Sequence, residues 1–113
     1  MSLYEELPVY KASYDLLLEL FRFTKDFSKE YKYTVGESIK KETMELILLT
    51  YRANIAQTKK ETIQQAREKI EVIRLLVRLM KDLHQINLKK FVFINTKIET
   101  VSKQLTGWQK SQK

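Results

Sequence analysis

The stretch Val72-Ile-Arg-Leu-Leu-Val-Arg-Leu-Met80 decides the fold. It is the most hydrophobic run in the chain, yet Arg74 and Arg78 sit inside it one helical turn apart. A charged side chain costs free energy to bury, so each arginine needs water, an acid or a phosphate beside an otherwise apolar surface. At about 100° per residue, Arg67, Arg74, Arg78 and Lys81 share a helical arc of roughly 60°. Ile70, Ile73, Val77 and Met80, together with Val72, Leu76, Leu79 and Leu83, cover roughly 180° of the remainder. Such a helix buries two faces and presents a third to something anionic.

On either side the punctuation is helical. Thr58-x-x-Glu61 reads as a capping box and starts this helix, which ends near His84. Upstream, Thr34-x-x-Glu37 repeats the pattern and opens a helix running to about Gln57. That helix carries one apolar face of Met44, Ile47, Leu48, Tyr51 and Ile55, and another of Ile39, Leu46, Leu49, Ala53 and Ala56. A surface helix needs only one, so two faces imply burial on both sides. The first helix spans about Pro8 to Lys29, with proline in its first turn and Glu5 and Glu6 at the positive end of its dipole. It too has two stripes, Leu7, Tyr10, Tyr14, Leu17, Phe21 and Val9, Leu16, Leu20, Phe23, Phe27. Tyr10, Tyr14, Phe21 and Phe23 therefore read as core rather than as base-stacking platforms. Asn87 suits both the close of the third helix and the cap of a fourth. The fourth holds Phe91, Ile94, Ile98, Val101, Leu105 and Trp108 in a single narrow stripe, interrupted by Gly107, with Gln109 to Lys113 expected to fray.

Four helices joined by links of a few residues predict an all-α, antiparallel up-down-up-down four-helix bundle, with residues 1–113 as one domain. Helices one to three carry more apolar arc than a bundle consumes. A soluble monomer rarely exposes that much, so a homo-oligomer is expected.

Composition narrows the chemistry. The 21 lysines and arginines outweigh 14 acids, for a net charge of +7, which favours a polyanionic partner such as RNA or DNA. With no cysteine there is no disulfide, thiolate catalysis or thiolate metal site. No apolar run reaches the ~20 residues of a membrane span, and the start lacks a secretion signal, so the chain reads as cytoplasmic with no membrane partner.

Candidate sites follow. The only histidine, His84, has Lys81 where a di-metal bundle would place glutamate, so no metal or other cofactor is expected. Arg78 followed by His84 has the loose spacing of HEPN-type helical ribonucleases. The same histidine reads more simply as buried or as capping a helix C-terminus. Loop tyrosines Tyr31 and Tyr33, between Lys29 and Lys32, are better stacking candidates than the helical aromatics, though a solvated loop explains them as well. The basic stripe of Arg74, Arg78, Lys81 and Arg67 is the candidate surface for nucleic acid or a protein partner. Its plainer reading is a solvated face salt-bridged to Glu71, though one glutamate cannot neutralise four bases.

Several segments in order carry a resemblance. Leu7-Pro-Val-Tyr10, Tyr31-Lys-Tyr-Thr-Val-Gly-Glu37-Ser-Ile39, Arg74-x-x-x-Arg78-Leu with Asp82-Leu83, and Lys103-Gln-Leu-Thr-Gly-Trp108 resemble the accessory variability determinant proteins of diversity-generating retroelements. These belong to a wider group of four-helix proteins that includes the 23S ribosomal RNA intervening-sequence proteins. That wider branch tends to have Ala-Asn-Ile-Ala-Glu-Gly, where this chain has Ala53-Asn-Ile-Ala-Gln-Thr58. The usual Gly-Gly-Trp is here Thr106-Gly-Trp108. The resemblance implies a non-enzymatic homopentamer that binds nucleic acid and a reverse transcriptase during mutagenic copying. Arg74 and Arg78 match the family's basic positions. Lys81 and Arg67 are added from the helical wheel. A ribosomal-RNA-associated bundle and a HEPN-like ribonuclease are the alternatives.

Overall fold

The computed structural model describes residues 7–112, and every regular element among them is helical. The elements are α1 (Pro8–Thr24), α2 (Lys29–Lys32), α3 (Val35–Ile55), α4 (Lys60–Asp82) and α5 (Leu88–Lys110). α1 packs on α3 and α5, and α4 packs on the same two helices, in a rod of 44 × 21 × 21 Å. The second stripe of α1 supplies Val9, Leu16 and Leu20 to the core. α3 adds Ile39, Leu46, Leu49 and Ala53, α4 adds Ile63, Ile70, Ile73, Val77 and Met80, and α5 adds Ile94, Ile98, Val101 and Leu105. Buried Thr43 and Thr50 satisfy their hydroxyls within α3, donating to the Ile39 and Ile47 carbonyls at 2.7 Å. No helix among the described residues is long and apolar enough to cross a membrane.

Several boundaries differ from the sequence expectation, each for a local reason. α1 stops at Thr24 rather than Lys29, because Phe27 turns inward to join the core. The Gln85 side chain fixes that turn by accepting the Ser28 N–H at 2.8 Å. Tyr31 then lies in the one-turn α2 and packs against the core, while Tyr33 is exposed.

Neither capping box forms. Thr34 does precede α3, but its hydroxyl donates backwards to the Glu30 carbonyl at 2.9 Å, and Glu37 pairs with Lys40. Lys59, not Thr58, occupies the N-cap position of α4. Its ammonium donates to the carbonyls of Ala53, Asn54 and Ala56 at 2.7–3.1 Å, closing the end of α3 with a positive charge where the helix dipole is negative. Asn87 does cap α5, accepting the Lys90 N–H at 2.8 Å. It takes no part in closing α4.

His84 closes α4 instead, at φ 60°. The His84 N–H bonds to the Lys81 carbonyl and the Gln85 N–H to the Met80 carbonyl, both at 2.9 Å, the pair of bonds of a Schellman motif. Both glycines lie inside helices. Gly36 lets α3 approach the preceding turn, where a Cβ would stand 3.2 Å from the Tyr31 carbonyl. The tail is ordered further than expected, for Gln109 and Lys110 are helical and Gln109 is anchored to α4. The assignment of Glu5 and Glu6 to the start of α1, and Lys113 of the tail, lie outside the described residues.

Candidate nucleic-acid or partner interface

The basic stripe lies where α4 faces α5. Arg74, Arg78 and Leu75 form one wall of a cleft of about 570 Å³, and Phe91, Asn95 and Glu99 of α5 form the other. The arginines are not equivalent. The Arg74 guanidinium is partly buried between the helices, hydrogen-bonded to Glu99 across the cleft and to Glu71 at 3.2 Å on its own helix. Burial works against its charge, but the hydrogen bonds it donates to Glu99 and Glu71 outweigh that and raise its pKa.

Arg78 points outward, its side chain 64% exposed, with only Asp82 at 3.2 Å beside it. Lys81 rests its ammonium 5.0 Å from the centre of the Phe91 ring, a cation–π contact that leaves its donors available. Arg67 sits at the far end of the stripe, bonded to the Gln109 side chain, which also reaches the Lys60 carbonyl and Gln64. The structure thus keeps all four cations on one edge of α4. Of the four, Arg78 is exposed, and Lys81, though half-buried, holds its ammonium over a ring rather than against a carboxylate.

Two carboxylates of this edge escaped the sequence reading. Asp82 follows Arg78 at the helical i,i+4 spacing and was legible as a pair. Glu99 comes from α5, some 25 residues along the chain from Arg74. Only the register of the two helices brings it there. Across this edge Arg78 turns to Asp82, and His84 is exposed at the end of α4. Among the described residues no three histidine, aspartate or glutamate side chains converge on one point.

A second surface is apolar. The core consumes one stripe each of α1 and α3, and the other stripe stays outside. Tyr14, Leu18 and Phe21 of α1 are exposed, contrary to the expectation that the helical aromatics are core, and Tyr10 and Phe23 are half-buried. On α3, Met44 is 44%, Leu48 50% and Ile55 62% exposed. The two stripes share one side of the rod, since Lys40 of α3 lies 4.8 Å above the Phe21 ring of α1. A groove between α3 and α4 continues it, with Leu48, Leu49 and Val72 as its apolar lining and Arg52 and Lys69 among its polar residues.

The family model described as bAvd-like matches residues 9–112, nearly the whole chain. The chain belongs to the bAvd-like family. The resemblance read from the four ordered segments is therefore borne out, and an all-helical domain of four long helices is what the accessory variability determinant family leads one to expect. No curated protein matches the sequence at a significant level.

Proposed function

We propose that this bAvd-like protein is a non-enzymatic accessory protein of a diversity-generating retroelement. In this reading the four long helices run up-down-up-down. Ion pairs of Asp15 with Lys97 and Asp26 with Lys90 support that arrangement for α1 and α5, because one partner's number rises as the other's falls. The same holds for α4 and α5, where Arg67 meets Gln109 and Arg74 meets Glu99. Protomers associate through the exposed stripe of α1 and α3 into a homopentamer. The outward cations of α4, repeated around the ring, then form a surface for RNA or DNA and for a reverse transcriptase.

The observation that carries the reading is a protomer with a complete core and a second apolar face left over. Exposed Tyr14, Leu18, Phe21, Met44, Leu48 and Ile55 on one side of a small rod are costly in water and characteristic of an interface. Membership of the bAvd-like family supports taking nucleic acid and a reverse transcriptase as the partners. The test is co-purification of tagged protein with a diversity-generating retroelement reverse transcriptase, with and without nuclease. Retention of the enzyme by wild type and its loss in Arg78→Ala/Lys81→Ala supports the reading. Equal retention by both, or none by either, rejects the proposed surface.

A further inference from the structure

The cleft between α4 and α5 is not electropositive inside. Its inner cation, Arg74, is shared by two carboxylates, Glu71 and Glu99, so a phosphate entering there meets more negative charge than positive. Arg78, by contrast, carries most of its side chain into solvent. Between these charges the lining is apolar and amide-like. Leu75, 67% exposed, belongs to the α4 wall, and Phe91 belongs to the α5 wall. Asn95 lies half-buried in the same cleft, and its carboxamide has no hydrogen-bond partner among the described residues. Such an amide offers two donors and an acceptor to whatever enters.

We propose that the cleft takes one unpaired base of a single-stranded nucleic acid, held between Leu75 and Phe91 with its polar edge on the Asn95 amide and its phosphate on Arg78 outside. The site rests on the reading of the α4 edge as a nucleic-acid surface and narrows its partner to single strands. A base is flat and uncharged, with apolar faces and a hydrogen-bonding edge, and so matches an interior that repels phosphate. In a duplex those faces are stacked and those edges paired, and no base is free to enter. The volume of about 570 Å³ lies within the ~300–1,000 Å³ of sites for small molecules and holds one nucleotide unit. The Lys81 ammonium lies 5.0 Å from the centre of the Phe91 ring. A base settling on that ring exchanges places with the ammonium and frees Lys81 for the neighbouring phosphate.

Fluorescence anisotropy at one salt concentration compares two probes on the full chain, a short single strand and the same backbone made of abasic units. Wild type should bind the base-bearing strand about tenfold tighter, the size of ratio that stacking a base gives. Asn95→Ala should lower that ratio several-fold without moving Tm, since the amide has no partner within the described protomer. Arg78→Ala should weaken both strands alike and keep the ratio. In the unaltered chain, near-ultraviolet irradiation of a strand carrying 4-thiouridine should cross-link it to the peptide of Leu75 or Phe91. Equal affinity for the two probes, or a ratio indifferent to Asn95→Ala, would overturn the base site while leaving the nucleic-acid surface standing. Binding to neither would overturn that surface as well. Loss of reverse-transcriptase retention in Asn95→Ala, with the ratio unchanged, would assign the cleft to the protein partner and equally overturn the base site.

Discussion

Arg74 of α4 and Glu99 of α5 are joined across the cleft that holds the basic stripe, so the arginine at the middle of that stripe is already committed. Arg78, one turn on, carries most of its side chain into solvent. The two should part company in experiment. Arg74→Ala should lower stability by about 1 kcal/mol, a modest figure because the pair is partly solvated. Arg78→Ala should leave stability within about 0.5 kcal/mol, weaken RNA or DNA binding, and reduce its salt slope by about one per protomer contact. Urea denaturation and fluorescence anisotropy across a salt series measure both.

Lys59 closes the end of α3. Three carbonyls there share its ammonium. Lys59→Met keeps most of the stem and removes the donors, at an expected cost of about 1–2 kcal/mol. The denaturation midpoint reports it, with Lys60→Met, an exposed neighbour, as the control.

His84→Gly should stabilise the protein. A residue at φ 60° is strained unless it is glycine, and the Schellman bonds at the end of α4 do not involve the imidazole. The gain should be about 0.5–1 kcal/mol, the cost of the left-handed conformation less the entropy glycine adds to the unfolded chain. A loss of stability would show that the ring does something the backbone does not.

Lys69 of α4 bridges Glu42 and Glu45 of α3, both at 2.9 Å. The hydrogen bond to Glu42, followed by that to Glu45, raises the Lys69 pKa; the hydrogen bond from Lys69 and its charge lower that of Glu45. A depressed carboxylate contributes above its unfolded pKa of about 4.3, and that contribution fades as pH falls through the folded value. The raised lysine contributes fully below about 10.4, and its contribution fades as pH rises through its folded value. Thermal stability should therefore form a plateau between those limits. Lys69→Met should flatten both edges in melting curves recorded across pH.

The helices were legible because each core stripe recurs at helical spacing, and Ile94, Ile98, Val101 and Leu105 lie buried as that spacing requires. The apolar surplus was equally legible, though not which of two stripes is inside. Leu46 and Leu49 are core, while Leu48, one position away, is on the surface. Ends were less readable, because Thr34 and Lys59 bond to the preceding helix rather than to their own, a choice made by the path of the turn. Within the candidate site, Asp82 was written in the local spacing, whereas Glu99 depended on helix register.

Gly36→Leu probes the closest backbone approach. A Cβ added there would stand 3.2 Å from the Tyr31 carbonyl and 3.5 Å from the Phe27 ring. A larger side chain must displace the α2 turn, at an expected cost of about 1–3 kcal/mol in urea denaturation.

Leu48→Glu, followed by multi-angle light scattering, reads whether protomers associate through the outer stripe of α1 and α3. Leu48 is half exposed in the protomer, so the charge should leave the helical melt in place, unlike Leu46→Glu, which buries it in the core. The expected result is five protomers of 13.5 kDa for the wild type at micromolar concentration, and a folded single protomer for Leu48→Glu. A wild-type mass of 13.5 kDa, or an assembly indifferent to Leu48→Glu, would contradict it.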